Sequence, residues 1–407
     1  MINKDQIRNN FSIYKNYKHE RGLPLVYLDS ASTSLTPDSV VEAMSEYYTH
    51  YRSNTERSSF SLSLRAEAEV DLAREKVAKF IDAESKENII FTSGATDAAN
   101  KIVDMLIDNP QQGLTFLTSV VEHHSVYVTL EQKAKKSGVR LLYTEIKEDG
   151  SLDYDALERN VVDEKVNVIF TQLASNVTGQ VNDLARIKQI ANRVGSLVVC
   201  DASQAIGHMP VSVETLGVDA LFFSAHKMCG PTGVGVLYVK KELLQKLIPT
   251  TYGGGSVQKV SKETITFQEG TKKFEPGTAN ISGIIGLGSA ISFIEKLGLD
   301  QTFLFIDNLL DYTVKELQKI NNISIYSAKE NIGIVSFSIG DIHAHDVEYL
   351  LAEAGIATRA GYHCAENFTR HISKVPLTRI SLHIYNTKED IDTLVLEIIN
   401  IIKKFGK

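Results

Sequence analysis

Short apolar runs alternate with amphipathic stretches from about residue 24 to residue 240. The strand-like runs are Leu25–Leu28, Ile89–Thr92, Leu114–Thr118, Val139–Tyr143, Val166–Thr171, Leu197–Cys200, Ala220–Phe223 and Val234–Val239. Most are continuously apolar rather than alternating, which predicts strands covered on both faces in a mostly parallel sheet. Helical periodicity fills the gaps, as in Leu64–Phe80, Ala95–Leu106 and Leu184–Val194. Strand–helix alternation of this length predicts an α/β layered domain. The character changes over 250–283, where Gly253, Gly254 and Gly255 punctuate a polar stretch that reads as loops reaching a neighbouring subunit. Beyond it the pattern predicts helices at Ile284–Leu297 and Asp300–Ile320, a strand at Gly333–Ile339, and helices at Ala344–Ala354 and Lys388–Ile402. Together these form a smaller α+β unit. No internal repeat or low-complexity segment is visible.

Composition narrows the function. The chain has 407 residues, 43% hydrophobic and 23% charged, which is ordinary globular usage and enough for two to three domains. No apolar run reaches the ~18 residues of a membrane helix. The first twenty residues are polar and lack the apolar stretch of a secretory signal, so a cytoplasmic location is expected. A net charge of −7 argues against bulk nucleic-acid binding. Three cysteines (Cys200, Cys229, Cys364) cannot build a disulfide framework, and without a CxxC pair no metal site is expected. Cys200, inside an apolar run, reads as core. Cys229 reads as structural, and Cys364, beside Gly361 in a polar segment, is the candidate reactive thiol.

Three predicted strand ends carry unusual chemistry, and in open α/β sheets sites form at such ends. One run ends in Asp201-Ala202-Ser203-Gln204, a second in Ser224-Ala225-His226-Lys227. A third ends in Thr92-Ser93-Gly94-Ala95-Thr96-Asp97 and opens a helix. Asp201 and Lys227 fit a plain buried ion pair, a costly arrangement. They also fit a pyridoxal phosphate site, which needs a lysine for covalent attachment and a carboxylate for the pyridinium nitrogen. Ser93–Thr96 before a helix supplies backbone N–H groups for a phosphate. The rival motifs G-x-x-x-x-G-K-[ST] and H-E-x-x-H are absent, and no G-x-G-x-x-G opens the first helix after a strand.

These motifs, in this order, resemble the class V group of fold-type I pyridoxal-phosphate enzymes, and within it the Suf-type (group II) cysteine desulfurases. The similarity runs through Tyr27–Ala31, Glu122-His123-His124, Ser175–Gly179, Asp201–Ala205, Ser224–Lys227, Gly230–Gly233, Phe274–Thr278, Arg359–Ala365 and Arg379. It implies a large domain over 21–287 with a mostly parallel seven-stranded sheet, and a small domain of 1–20 with 288–407. It implies pyridoxal 5'-phosphate held covalently by Lys227, which also moves the Cα proton. Asp201 would pair with the pyridinium nitrogen, and His123 would stack on the ring. Asn176 and Gln204 would bond the ring's 3-oxygen side. Ala95, Thr96, Ser224 and His226 would hold the phosphate, with Thr278 from the other subunit of a homodimer. Arg379 would grip the carboxylate of L-cysteine, beside Arg359, Asn176 and Ala31. Cys364 would be the nucleophile that carries sulfur to an acceptor protein, with iron–sulfur assembly as one destination.

Other readings stand beside this one. His123-His124 also reads as a helix start, and Leu377–Leu382 alternates like a strand that presents Arg379 at the surface. The same cofactor would serve a selenocysteine lyase, another amino-acid lyase, an epimerase or an aminotransferase with Cys364 structural. A scaffold that binds a protein partner without catalysis is a third class. The sequence departs from the family pattern at Glu56 and Phe60, where two histidines are expected, at Tyr362, often a histidine, and over Glu366–Thr369.

Overall fold

The computed structural model describes residues 7–55, 58–109 and 113–405; Glu56 lies outside them. A short strand β1 (Val26–Tyr27) precedes helices α1 (Asp38–His50) and α2 (Ser61–Phe80). Strands and helices then alternate as β2 (Ile89–Thr92), α3 (Ala95–Ile107), β3 (Thr115–Ser119), α4 (His124–Ser137), β4 (Arg140–Thr144), α5 (Tyr154–Asp163), β5 (Val168–Gln172), α6 (Leu184–Asn192) and β6 (Leu197–Asp201). Strands β7 (Ala220–Ser224) and β8 (Gly235–Val239) complete the series. The seven strands lie in the order β2-β8-β7-β6-β5-β3-β4. Only β8 runs against its neighbours; the other pairs are parallel. The expected mostly parallel seven-stranded sheet is present.

The continuous apolar runs have the expected cause. Every residue of β3, β5, β7 and β8 is buried. One hydrophobic core covers each face, the first containing Val198, Leu221 and Val236 and the second Phe116, Phe170 and Phe222. Parallel register aligns Gln172 with Asp201, and Asp201 with Phe222, so the carboxyl ends of β5, β6 and β7 open onto one place. Gly235 is required where β8 begins: a Cβ there would lie 2.6 Å from Gly94 Cα, in the loop that leads into α3.

Two expectations are corrected here. The run Leu25–Leu28 does not join the main sheet. Its strand β1 pairs in parallel with β13 (Ile356–Ala357) in a sheet of two, because Leu28 and Val26 pack into the second unit's core. The stretch 250–283 is not all loop. It contains an antiparallel hairpin, β9 (Val257–Val260) and β10 (Ile265–Phe267), mostly exposed, so no buried face marked it in the sequence.

After α7 (Ile281–Leu297) and α8 (Leu299–Gln318) come β11 (Ile323–Tyr326), β12 (Ile334–Ile339), α9 (Ala344–Glu353), β13, β14 (Arg359–Gly361), α10 (Glu366–Ile372), β15 (Leu377–Ser381) and α11 (Lys388–Phe405). The strands form a four-stranded antiparallel sheet, β11-β12-β15-β14. Its core joins Phe337, Ile380 and Leu394 to Ile7 and Phe11 from the other end of the chain. Among the described residues no single helix is long and apolar enough to cross a membrane.

Candidate active site

A cavity of about 220 Å³ lies at the aligned strand ends, between the large sheet and β14–β15. Its wall contains Lys227, Asp201, Gln204, His123, Asn176, Ala95, Thr96, Ser224, His226, Ala31, Arg359, Arg379 and Cys364. Of the catalytic, cofactor-binding and substrate-binding residues expected from the resemblance, Thr278 alone is elsewhere. It lines a separate cleft of about 690 Å³ with Thr55, Gly254 and Gly255.

Asp201 ends β6 and is buried; its Oδ1 accepts from the Ser203 amide at 2.9 Å. Burial pushes its carboxyl up, and the Ser203 bonds and the Lys227 ammonium oppose that shift. Lys227 follows β7 in a 3₁₀ turn. Desolvation pulls its amine down from the ordinary range, against the pull of Asp201, which favours a neutral, nucleophilic amine. The plain ion pair is therefore the weaker description, since both side chains face an open cavity. The turn is held by Ser34, whose amide and hydroxyl both donate to the His226 carbonyl at 2.9–3.0 Å.

Helix α3 starts at Ala95 beside this pair, and the Ala95 amide donates to Ser224 Oγ at 2.7 Å. The first-turn amides of a helix lack intrahelical acceptors and attract anions. His123 caps α4, its Nδ1 accepting from the Ser125 amide at 3.1 Å. The helix-start reading was correct, and the same imidazole lines the cavity. Desolvation, then Lys227, lowers His123 to about 3, so the ring is neutral and flat at neutral pH.

The arginine reading from alternation is corrected. Arg379 is 2% exposed, because its strand β15 is central in its sheet and buried on every residue. Register places Arg359 directly across from it, a like-charge pair that would repel. Asp29 sits between them, 2.9 Å from Arg359 Nη2 and 3.3 Å from Arg379 Nη2. Arg379 Nη1 donates to the Asn176 carbonyl at 2.8 Å, while Nε is buried with no partner. Asn176 Oδ1 is also buried and unpartnered. Unmet donors and acceptors in a cavity wall cost free energy unless a ligand meets them. The free Arg379 Nε donor fits an amino-acid carboxylate and the free Asn176 Oδ1 acceptor fits a ligand N–H or O–H, as the donor set beside Ala95 and Ser224 fits a phosphate. Gln204 Nε2 is used by the Ala31 carbonyl at 3.0 Å.

Cys364 is exposed at the mouth, while Cys200 and Cys229 are buried. It lies in the turn between β14 and α10. His363 and Cys364 both adopt left-handed backbone, φ +51° and +54°, which costs roughly 1–2 kcal/mol per residue. The turn is braced: Asn176 Nδ2 donates to the His363 carbonyl at 2.5 Å, and the His124 amide donates to the Cys364 carbonyl at 2.7 Å. Gly150 makes room for α10 behind it, since a Cβ there would lie 2.9 Å from Phe368. Arg359, Arg379 and Lys227 line the same cavity wall as Cys364. Phe60 is 53% exposed and outside the cavity wall.

Asp29 and His363 were missed as site residues. Asp29 stands just after an apolar run, the position that marked Asp201, and the same rule would have found it.

The buried histidines yield a stability prediction. Desolvation pulls His208 down to about 4 and His363 to about 3, below the ordinary 6.5. Below pH 6.5 the unfolded chain binds protons that the folded chain does not, so stability falls as pH falls. For each group the slope rises from half of about 1.4 kcal/mol per pH unit at pH 6.5 towards that full value, so the pair lowers unfolding free energy by about 3 kcal/mol between pH 6.5 and 5. Urea denaturation at these pH values checks it; a flat profile contradicts it.

The profile described as Aminotransferase class-V matches residues 26–394. The chain belongs to this family. Its relatives include a probable cysteine desulfurase of Halalkalibacterium halodurans, 39% identical over 97% of this chain and 96% of that protein. A cysteine desulfurase of Escherichia coli is 35% identical over 96% of each. Among solved structures, the apo cysteine desulfurase of Thermococcus onnurineus superposes with a TM-score of 0.93 at 32% identity, covering 98% of both chains. An Escherichia coli cysteine desulfurase in an S-sulfonic acid form superposes at 0.91, 32% identical over 99% of both. The class-V member described here thus has the fold-type I transferase architecture.

Proposed function

We propose that this class-V member is a pyridoxal-phosphate-dependent cysteine desulfurase of the Suf type. It converts L-cysteine to L-alanine and leaves the sulfur on Cys364. The observation that carries the reading is the meeting of Lys227, Asp201, Arg379 and the exposed Cys364 thiol on one cavity wall. When bound, pyridoxal phosphate supplies an electron sink for the charge left at the substrate Cα. Lys227 anchors it and moves the Cα proton. Asp201 holds the pyridinium proton, and the neutral His123 ring covers one face. Asn176 and Gln204 serve the 3-oxygen side. Ala95, Thr96, Ser224 and His226 bind the phosphate. Arg379, with Arg359, Asn176 and Ala31 around it, orients the carboxylate in a fork.

The Cys364 thiolate then attacks the substrate sulfur. An S–S bond forms as the Cβ–S bond breaks, and Cβ and Cα each end with a proton in alanine. The sum is Cys364 thiol plus L-cysteine to Cys364 persulfide plus L-alanine. The persulfide passes to an acceptor protein in the cytoplasm, with iron–sulfur assembly as its use. The resemblance of the motif Arg359–Ala365, which places Arg359 and Cys364 on the cavity wall, supports the Suf-type assignment. The core that joins Ile7 and Phe11 to Phe337 and Ile380 supports grouping 1–20 with 288–407 against a large domain of 21–287, although Val26, Leu28 and Leu35 also pack into it. Thr278, open in its own cleft, supports a homodimer in which it completes the partner's phosphate site.

Pure protein incubated with a panel of amino acids tests this, with oligomeric state measured by sedimentation in the same buffer. Alanine released from L-cysteine by a dimer is expected. Keto-acid release from another amino acid, with no alanine from cysteine, would move the protein to a different class-V activity.

A further inference from the structure

His124 follows the ring-covering His123 but turns away from it, the two rings 6.4 Å apart and tilted by 49°. The His124 side chain is not part of the cavity wall. Its main chain and its imidazole both reach the Cys364 turn. The His124 amide, at the start of α4, has no acceptor within its own helix and donates to the Cys364 carbonyl at 2.7 Å. The His124 Nε2 accepts from the Glu366 amide at 3.3 Å. Glu366 is the first residue of α10, so its amide is likewise an orphan of a helix start. One residue therefore grips the nucleophile segment twice, at the Cys364 carbonyl and at the Glu366 amide two residues on. The segment it grips is the one held in left-handed backbone, which persists only where its surroundings determine it.

We propose that His124 is a positioning residue for Cys364: its neutral imidazole, with Nε2 as acceptor, locks the first turn of α10 and so aims the thiol into the cavity. Accepting through Nε2 requires the proton on Nδ1, because a doubly protonated ring has only donors. The proposal rests on the desulfurase reading for its kinetic readout and on backbone geometry for its structural one.

His124→Ala and His124→Gln test it in the full-length, cofactor-loaded protein. The glutamine amide oxygen can accept from Glu366, so it is the conservative variant. In His124→Ala, hydrogen exchange in the peptide spanning 362–367 is expected to rise about five- to tenfold, the loss of one hydrogen bond. Alanine formation falls by a similar factor in kcat with KM for cysteine unchanged, because the main-chain bond to Cys364 remains. Iodoacetamide labels Cys364 at an altered rate, while cofactor content and melting temperature stay at wild-type values. His124→Gln restores exchange and kcat. Wild-type exchange in His124→Ala, or equal defects in both variants, would overturn the assignment. Should His124→Ala not fold, exchange and kcat of His124→Gln at wild-type values support the proposal, and a glutamine variant with freely exchanging 362–367 defeats it. If wild-type protein makes no alanine, the desulfurase reading fails by itself, and exchange with iodoacetamide labelling still decides the role of His124.

Discussion

Lys227→Ala is expected to fold normally and to lose alanine formation by about a thousandfold or more, since covalent catalysis through the lysine is removed. The amine at this place is depressed by desolvation and faced by Asp201, a combination that favours attack on an aldehyde and that no neighbouring side chain reproduces. Among the described residues lining the cavity, Lys227 is the only lysine. The variant is also expected to lose the bond that borohydride makes permanent: after reduction, the wild-type peptide bearing Lys227 carries the cofactor mass and the variant carries none. The melting temperature should change little, because Lys227 projects into a cavity rather than into packed core. Turnover within tenfold of wild type would remove Lys227 from the chemistry.

Cys364→Ser is the second large effect. Serine preserves shape but not nucleophilicity, since thiolate is the reacting form and a hydroxyl is not ionised at neutral pH. Alanine formation is expected to fall by about a hundredfold or more while cofactor and cysteine still bind. The other two cysteines serve as controls. Burial pushes the Cys229 thiol up to about 12 and the Cys200 thiol upward as well. Both are fully buried, so Cys200→Ala should retain most of the activity. Alanine production by Cys364→Ser at the wild-type rate would make the thiol structural and favour one of the other class-V reactions.

The large sheet and most of the cavity were legible in the sequence for a definite reason. Strands buried on both faces leave continuous apolar runs, and polar residues that end such runs, as Asp201 and Lys227 do, stand out against them. The second unit was harder to read. Its strands are short, two or three residues in β13 and β14, and helix α10 has seven, below the length at which periodicity is visible. Arg379 illustrates the difficulty. Alternation correctly marked a strand, but only the antiparallel pairing with β12 and β14 and the ion pair to Asp29 bury it. The left-handed turn at Cys364 has no glycine at its two positive-φ positions, so no residue type announced it. His124 was visible only as half of a helix start. Thr278 lines a separate cleft, so the fold of the single chain does not bring it to the cavity that the resemblance assigns it to.

The most direct test is chemical. Purified protein is mixed with L-cysteine, alanine is quantified, and the peptide containing Cys364 is weighed before any reductant is added. The account predicts one added sulfur on that peptide and alanine in equal amount during the first turnover. Alanine without sulfur at position 364, or sulfur on Cys200 or Cys229 instead, would contradict it.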